Sequence, residues 1–106
     1  MASVDIKLPV SLKSDIQNLV RDTRQNLGYE EADKLLTAAS NLLSFSVAHG
    51  QAKTDLFNLP ADLKREMNTI IGIVTEYAGL HSDVWYQTES LCNYLINYGY
   101  RIGQGG

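Results

Sequence analysis

The stretch LPVSLKSDI at residues 8–16 decides the fold, because a similar stretch, LPADLKREM, occurs again at residues 59–67. In each copy a Leu-Pro step precedes apolar residues that recur every three or four positions, a pattern typical of the start of an amphipathic helix. The same offset of 51 residues pairs Gly28 with Gly79, and a glycine often ends a helix. The sequence therefore predicts two helical hairpins with matching start and turn signals.

Apolar stripes at helical spacing continue from both starts and predict four helices. Both prolines lie next to predicted helix starts, where Ser11 and Asp62 are candidate caps, and the stripes include Leu36 and Trp85. Four amphipathic helices with short connections bury one another economically as a bundle. We expect one all-α domain over residues 1–106, a four-helix bundle made of two antiparallel hairpins. The expected ranges are an extended N-terminal segment at 3–8, hairpins at 10–49 and 60–99, and a flexible tail at 102–106.

Net charge, cysteine content and hydrophobicity limit which partners and compartments we expect for this protein. The net charge of −3 argues against a surface that binds nucleic acid throughout, although a local basic patch stays open. Cys92 is the single cysteine, so the chain holds no internal disulfide and fits a reducing compartment. The N-terminal residues lack the features of a signal peptide, and no apolar run approaches the roughly 18 residues that span a bilayer. We expect a cytoplasmic protein that does not bind membranes.

Patterns that carry catalysis or bind metals are missing from the sequence. His49 and His81 stand alone, each near a predicted helix end, with no cysteine or second histidine at ligand spacing. No Gly-rich loop follows a predicted strand, which argues against a phosphate-binding loop. Cys92 lies on the core side of the fourth helix, where a small buried hydrophobe is more common than a nucleophile. The sequence thus predicts a protein that is not an enzyme and has no cofactor and no metal site.

The fourth helix carries an unusual outer face, in which tyrosine, serine and asparagine replace the charged residues that usually cover a solvent-exposed helix. Tyrosine gives large, rigid contact area, and serine and asparagine hydrogen-bond adaptably, so this composition is typical of binding surfaces. It also suits stacking of unpaired bases. The alternative is that the face is buried in the bundle or in a homodimer. Phe45, on the outward side of the second helix, is a further exposed aromatic by the same reasoning. The predicted partner-binding residues are Tyr86, Ser90, Asn93, Tyr94, Asn97, Tyr100 and Arg101.

A second candidate surface is a polar row on the first helix. Lys13, Gln17, Arg21 and Arg24 follow one another at i, i+4, i+8 and i+11 and therefore line one side of the helix. Such a row can track a phosphate backbone, since each neutralised phosphate releases a counterion. The alternative is an ordinary solvated face, with Asp15 and Asp22 nearby.

The segment SVDIKLP at residues 3–9 alternates polar and apolar residues, and a predicted helix, a glycine turn and a second predicted helix follow. In this pattern residues 3–43 resemble a ribbon-helix-helix DNA-binding unit. The resemblance implies a dimer that pairs two such strands and inserts their outward side chains into the major groove. Acidic residues at positions 5, 30, 31 and 33 depart from what contact with DNA requires. By position, the resemblance implies Ser3, Asp5 and Lys7 as the base-reading residues and the amides near Gly28 and Tyr29 as phosphate contacts.

These features lead to a functional expectation and two alternatives. We expect a non-enzymatic binding protein, a small helical inhibitor or accessory protein of phage or immunity type. It would act as a monomer or homodimer that docks on a larger protein or nucleoprotein complex, with nucleic-acid contact possible through Lys7, Lys13, Gln17, Arg21 and Arg24. The first alternative is a ribbon-helix-helix-like transcriptional regulator. The second is a structural assembly protein that buries the fourth helix's outer face in oligomers.

Overall fold

A computed structural model of the chain describes residues 10–78 and 82–105, with side chains over 10–76 and 85–105. These residues form four α-helices and, within the described ranges, no strand. The prediction of an all-α chain with four helices is therefore confirmed. The segment 3–8, predicted to be extended, lies outside the described residues. The helices are α1 (Val10–Leu27), α2 (Tyr29–Gln51), α3 (Ala61–Ala78) and α4 (Ser82–Gly103).

A single residue, Gly28, separates α1 from α2. Its φ of 95° and ψ of −178° place it in a backbone region that is essentially restricted to glycine. Its carbonyl oxygen accepts a hydrogen bond from the amide of Ala32, so α2 begins directly after it. The predicted turn at Gly28 is confirmed. The predicted cap at Ser11 is wrong, because α1 already includes Val10 and Ser11 lies inside the helix.

The connector from α2 to α3 is held by local hydrogen bonds. The amide of Lys53 donates to the carbonyl of Gly50 over 3.1 Å, and Lys53 itself has a left-handed φ of 55° that turns the chain away from α2. Further on, a carboxylate oxygen of Asp55 accepts from the amide of Phe57 over 2.9 Å. Such local bonds occupy backbone groups that a helix end and a turn leave free.

The helices pack around α2, which contacts each of the other three and has its most extensive interface with α4. α3 packs against both α2 and α4, whereas α1 packs against α2 and, over a smaller area, α3. α1 and α4 barely touch. This arrangement is compatible with the predicted bundle, and it leaves the seam between α1 and α4 open.

The hydrophobic core draws on all four helices. Complete burial of one large aliphatic side chain stabilises a fold by about 1.5–3 kcal/mol, so a few such residues fix how the helices pack. Among the described residues, three with hydroxyl groups are buried, namely Thr23, Ser46 and Thr88. The first two donate to carbonyls one turn earlier in their own helices, over 2.8 Å and 2.6 Å. The most completely buried large side chains are Leu35, Leu42, Leu63, Ile70 and Leu95.

Glycines let α2 and α4 approach at backbone distance. A methyl group on Gly50 would overlap the carbonyl oxygen of Tyr100, and one on Gly103 would overlap that of Val47. Gly99 and Gly103 lie one turn apart and therefore share a face of α4. Any side chain at Gly50 or Gly103 would force the two helices apart.

The same contacts fix the relative direction of the two helices. Leu43 and Ser46 lie against Gly99, and Val47 lies against Gly103. Residue numbers therefore increase in the same direction along both helices, so α2 and α4 run parallel where they cross.

Two predicted helix ends were placed too early. α2 runs to Gln51 rather than 49, and α4 runs to Gly103, inside the segment predicted as a tail. The reason is packing, since Gly50 and Gly103 both belong to the close contact between α2 and α4.

Three apolar side chains also lie where the stripes did not place them. Leu36 was predicted to face the core but is 46% exposed, and Trp85 is 38% exposed. Phe45 was predicted to be exposed, yet it is half-buried and packs against the core. For the two residues of α2, Leu36 and Phe45, the reason is that α2 has neighbours on more than one side, so a single inward stripe does not describe which of its residues are covered.

Candidate functional site

An open groove runs between α1 and α4, along the seam where these helices barely touch. Its volume of about 730 Å³ falls in the range of roughly 300–1,000 Å³ that ligand sites in proteins occupy. The walls combine aromatic, acidic and neutral polar side chains over a partly apolar floor. The α1 side consists of Ser11, Leu12, Asp15, Asn18, Leu19 and Asp22, and the α4 side of Tyr86, Gln87, Thr88, Ser90, Leu91 and Tyr94.

Tyr86 and Tyr94 form the aromatic part of the groove. They are 62% and 47% exposed, and the exposed Ser90 lies between them. Eight residues separate the tyrosines, which corresponds to about 12 Å along the helix axis. The ring of Tyr86 packs edge-on against that of Trp85, with centroids 5.3 Å apart, and this contact limits its freedom. Three of the seven predicted partner-binding residues therefore share one groove with α1.

Two carboxylates face the groove from α1, Asp15 and Asp22. Within the described part of the chain, no lysine, arginine or histidine lines the groove. Arg21 lies beside it, with its Nε 3.7 Å from a carboxylate oxygen of Asp22. Both side chains are more than half exposed, so solvent screens this pair. The groove therefore has a net negative charge.

The floor of the groove is partly apolar. Leu12 is buried, and Leu19 and Leu91 are half-buried and pack against the hydrophobic core. Apolar surface beneath charged and aromatic walls can hold the aliphatic part of a ligand while polar groups fix its orientation. The groove thus has the mixture of contacts that a specific binding site uses.

The other predicted residues of α4 lie outside the groove. Asn93, Asn97 and Arg101 are exposed on the same helix. Tyr100 has a different environment from the one expected for the outer face. It is half-buried, and its hydroxyl donates to the carbonyl of Thr54 over 2.7 Å, which attaches α4 to the connector.

The polar row of α1 is exposed along its whole length, at Lys13, Gln17, Arg21 and Arg24. On a helix of 3.6 residues per turn, Lys13, Gln17 and Arg24 fall on the opposite side of α1 from the groove, whereas Arg21 lies at the groove's edge beside Asp22. The guanidinium of Arg24 lies 4.8 Å from the ring centroid of Tyr29, a cation–π contact across the turn between α1 and α2. The structure therefore separates the two predicted surfaces. Lys7, Ser3 and Asp5 lie outside the described residues.

His49 has hydrogen-bond partners outside its own helix, although among the described residues it joins no cluster of metal ligands; His81 lies outside those residues. Its Nε2 donates to the carboxylate of Asp62, with distances of 2.9 and 3.0 Å to the two oxygens, and its Nδ1 lies 3.1 Å from the hydroxyl oxygen of Thr54. Asp62 also accepts from the amide of Leu63 over 2.8 Å, but it is the second residue of α3, so the predicted cap at Asp62 is wrong in the same way as that at Ser11. Both imidazole nitrogens have partners, so the network joins the end of α2, the connector and the start of α3.

Cys92 is buried in the core, as predicted. Burial raises the pKa of its thiol from 9.0 to about 12, and the negative charge of Glu89 adds to the effect. Since the thiolate is the reactive form of cysteine, a thiol with this pKa is a poor nucleophile near neutral pH.

Metal clusters and membrane-spanning helices are not found in the described ranges. Over residues 10–78 and 82–105, no three His, Cys, Asp or Glu side chains come together as metal ligands. Likewise, none of the four helices, over the residues described, combines the length and hydrophobicity needed to cross a bilayer.

Comparisons with known proteins find no match among protein families, curated proteins or solved structures. A functional proposal for this chain therefore depends on the geometry of its own surfaces.

Proposed function

We propose that this chain is a non-enzymatic binding protein that docks on a larger protein through the groove between α1 and α4. The observation that carries the proposal is the exposure of Tyr86 and Tyr94 in an open groove of about 730 Å³. Tyrosine is enriched at the centres of protein interfaces, where it supplies contact area at low cost in side-chain entropy. Exposed tyrosines in a concave site are therefore better suited to a partner than to solvent.

The charge of the groove favours protein over nucleic acid as the partner at this site. Asp15 and Asp22 line the wall opposite the tyrosines. A nucleic-acid strand stacked on Tyr86 or Tyr94 would bring its phosphates near these carboxylates, and that repulsion opposes binding. A protein segment can instead present neutral or cationic groups.

The wider biological role remains part of this proposal. We infer a small inhibitor or accessory protein of phage or immunity type, cytoplasmic, and acting as a monomer or homodimer by covering a surface of its target. We also propose that the helices pair as two antiparallel hairpins and that residues 3–8 are extended. A chain of 106 residues with an open groove between two helices fits a stoichiometric binding role.

The proposal is tested by removing the aromatic side chains from the groove. We expect the double variant Tyr86→Ala/Tyr94→Ala to capture at least about tenfold less partner from cells that naturally produce the protein, since truncation of a central interface residue costs more than about 1 kcal/mol. The matched control is Asn93→Ala/Asn97→Ala, which removes two exposed side chains of the same helix outside the groove. Quantitative mass spectrometry of the captured proteins is the measurement. Equal capture by the two variants, or loss of the partner after nuclease treatment, contradicts the proposal.

The exposed row on α1 favours a second candidate, a ribbon-helix-helix-like regulator. Lys13, Arg21 and Arg24 are accessible to a phosphate backbone, and Gly28 joins α1 and α2 by a tight turn. This candidate predicts that the protein binds duplex DNA, and that Lys7→Ala and Arg21→Ala each weaken binding. Each lost phosphate contact should lower the slope of log affinity against log salt by about 1. If the wild-type protein does not retard duplex DNA at low salt, this candidate is excluded.

A further inference from the structure

We infer that the groove between α1 and α4 receives a helix of the partner protein, and that this helix presents lysine or arginine side chains to the groove. The inference rests on the proposed function and adds the chemistry of the partner. It depends on the charge of the groove, on the spacing of its side chains and on the backbone of its walls.

The negative charge of the groove favours a cationic occupant. Asp15 and Asp22 are seven residues apart, almost two full turns, so both carboxylates lie on one side of α1 at a separation of about 10.5 Å along the axis. No cationic side chain lines the groove over the described residues. The neighbouring Arg21 is paired with Asp22 only through an exposed contact of 3.7 Å, which an incoming cation can replace at little cost.

The opposite wall has a matching spacing. Tyr86 and Tyr94 are about 12 Å apart along α4, so each carboxylate can have a tyrosine across the groove. The face of a tyrosine ring attracts ammonium and guanidinium groups by about 0.5–1 kcal/mol at exposed sites. Beneath them, Leu19 and Leu91 provide apolar surface for the methylene groups of a lysine or arginine side chain. Two cations placed two turns apart on one helix fit this arrangement.

The walls favour a helix over an extended segment. Beyond the first turn of α1, both walls are helical along the groove, so their backbone amides and carbonyls are already hydrogen-bonded within the helices. An extended peptide would find few backbone partners there, whereas a helix satisfies its own backbone groups internally. The span from Ser11 to Asp22 is about 16 Å, or three helical turns. A partner helix of that length can lie along the open seam between α1 and α4.

The inference is tested with two matched synthetic peptides. The probe is an alanine-rich helical peptide with two leucines and two lysines on one face, the lysines seven residues apart, and its control has glutamate in place of both lysines. In NMR titrations of the ¹⁵N-labelled full chain, we expect the lysine peptide to bind at least tenfold more tightly. It should also shift the amide resonances of groove residues such as Asn18 and Ser90.

Charge reversal in the protein provides the complementary test. The variant Asp15→Lys/Asp22→Lys should prefer the glutamate peptide, whereas Asp33→Lys, an exposed change on α2 outside this groove, should keep the wild-type preference. Circular dichroism checks that each variant is folded. If the charge-reversal variant is not folded, Asp15→Asn/Asp22→Asn replaces it. The neutral variant is then expected to lose the preference for the lysine peptide.

Several outcomes overturn the inference. It fails if wild type binds neither peptide, if it binds both equally, or if resonances shift only outside the groove. It also fails if spermidine competes as tightly as the lysine peptide binds, because the occupant is then a small polycation. If Tyr86→Ala/Tyr94→Ala loses the natural partner while Asp15→Lys/Asp22→Lys keeps it, the proposed function stands and the cationic helix is wrong. If the tyrosine variant keeps the partner, the proposed function itself is wrong.

Discussion

At the scale of single residues, hydrogen bonds between distant positions hold the connector in place. Thr54 is the common member of these contacts: its hydroxyl lies 3.1 Å from His49 and its carbonyl accepts from Tyr100. Asp62 completes the set by accepting from His49. These bonds link α2, α3 and α4 through a segment that has few buried side chains of its own.

Removing the hydroxyl of Tyr100 tests how much this hydrogen-bond network stabilises the fold. We expect Tyr100→Phe to lower the free energy of unfolding by about 1 kcal/mol, because the carbonyl of Thr54 loses its partner while the ring is kept. Urea denaturation followed by circular dichroism measures the change. Tyr94→Phe is the control, since an exposed hydroxyl in the groove should change stability by less than about 0.5 kcal/mol. Equal effects of the two changes would contradict the structural role of Tyr100.

Burial of Cys92 predicts its reactivity and a dependence of stability on pH. The raised pKa of about 12 keeps the thiol protonated in the folded chain, whereas in the unfolded chain it ionises near 9.0. Its contribution to stability is therefore fully present below pH 9.0 and is lost as the pH rises towards 12. We expect the native protein at pH 8 to react with a disulfide reagent far more slowly than the urea-unfolded chain.

The control for this prediction is Cys92→Ala, in which unfolding stability should fall less steeply above pH 9.0 than in wild type. Rapid modification of Cys92 under native conditions would show that the thiol is accessible.

Sequence could identify some of these residues but not their partners. Asp62 was a candidate cap because it follows a proline at a helix start, but it lies inside α3 and its carboxylate accepts from the adjacent amide of Leu63. Its contact with His49, 13 positions earlier, follows no helical period. Only the path of the connector brings the two together.

At the scale of the elements, Gly28 sets the angle between α1 and α2 through its backbone conformation. We expect Gly28→Ala to destabilise the fold by about 1–3 kcal/mol, because a residue with a side chain is strained in this region. No neighbouring atom would be within 4 Å of the added methyl group, so the cost is one of backbone conformation alone. Thermal and urea denaturation measure it.

Gly105 is the matched control for this change. It has a similar φ of 89° and equally open surroundings, but it follows the end of α4. We expect Gly105→Ala to have little effect, because Gly105 does not join two of the described helices and strain there displaces neither of them. If Gly105→Ala lowered stability as much as Gly28→Ala, this would argue against a special backbone requirement at the turn between α1 and α2.

The crossing of α2 and α4 gives the sharpest prediction at this scale. We expect Gly103→Ala to lower the free energy of unfolding by about 2 kcal/mol or more, because the new methyl group would overlap the carbonyl oxygen of Val47. Gly72→Ala is the matched control, since Gly72 lies exposed within α3 with nothing within 4 Å. That change should raise stability by about 1 kcal/mol, the difference in helix propensity between the two residues. Similar effects of both changes in urea denaturation would exclude the close crossing.

Periodicity predicted the helices well because each of them buries apolar side chains that recur at helical spacing. The stripes that contain Leu12, Leu42 and Leu95 all reach the core. The end of α4 was missed because a glycine contributes no apolar side chain to a stripe. Gly103 packs through its backbone, and that contact depends on Gly50 of another helix.

At the scale of the whole molecule, the groove places the predicted tyrosine face of α4 opposite an acidic wall of α1 that was not predicted. The tyrosine face of α4 could be identified from the absence of charge around Tyr86 and Tyr94. Its acidic wall could not be predicted, because Asp15 and Tyr86 are 71 positions apart and meet only through the way α1 and α4 pack on α2. The polar row of α1, by contrast, was predicted correctly as an exposed face, and its partner remains a hypothesis.

The most direct test of the central claim is photo-cross-linking from the groove in cells that naturally produce the protein. A benzophenone amino acid replaces Ser90, which lies in the groove, or Asn97, which is exposed on the same helix outside it. If the groove is the docking site, position 90 should give a discrete protein adduct that resists nuclease, and position 97 should give none. Adducts of equal yield from both positions, or an adduct that nuclease removes, would contradict it.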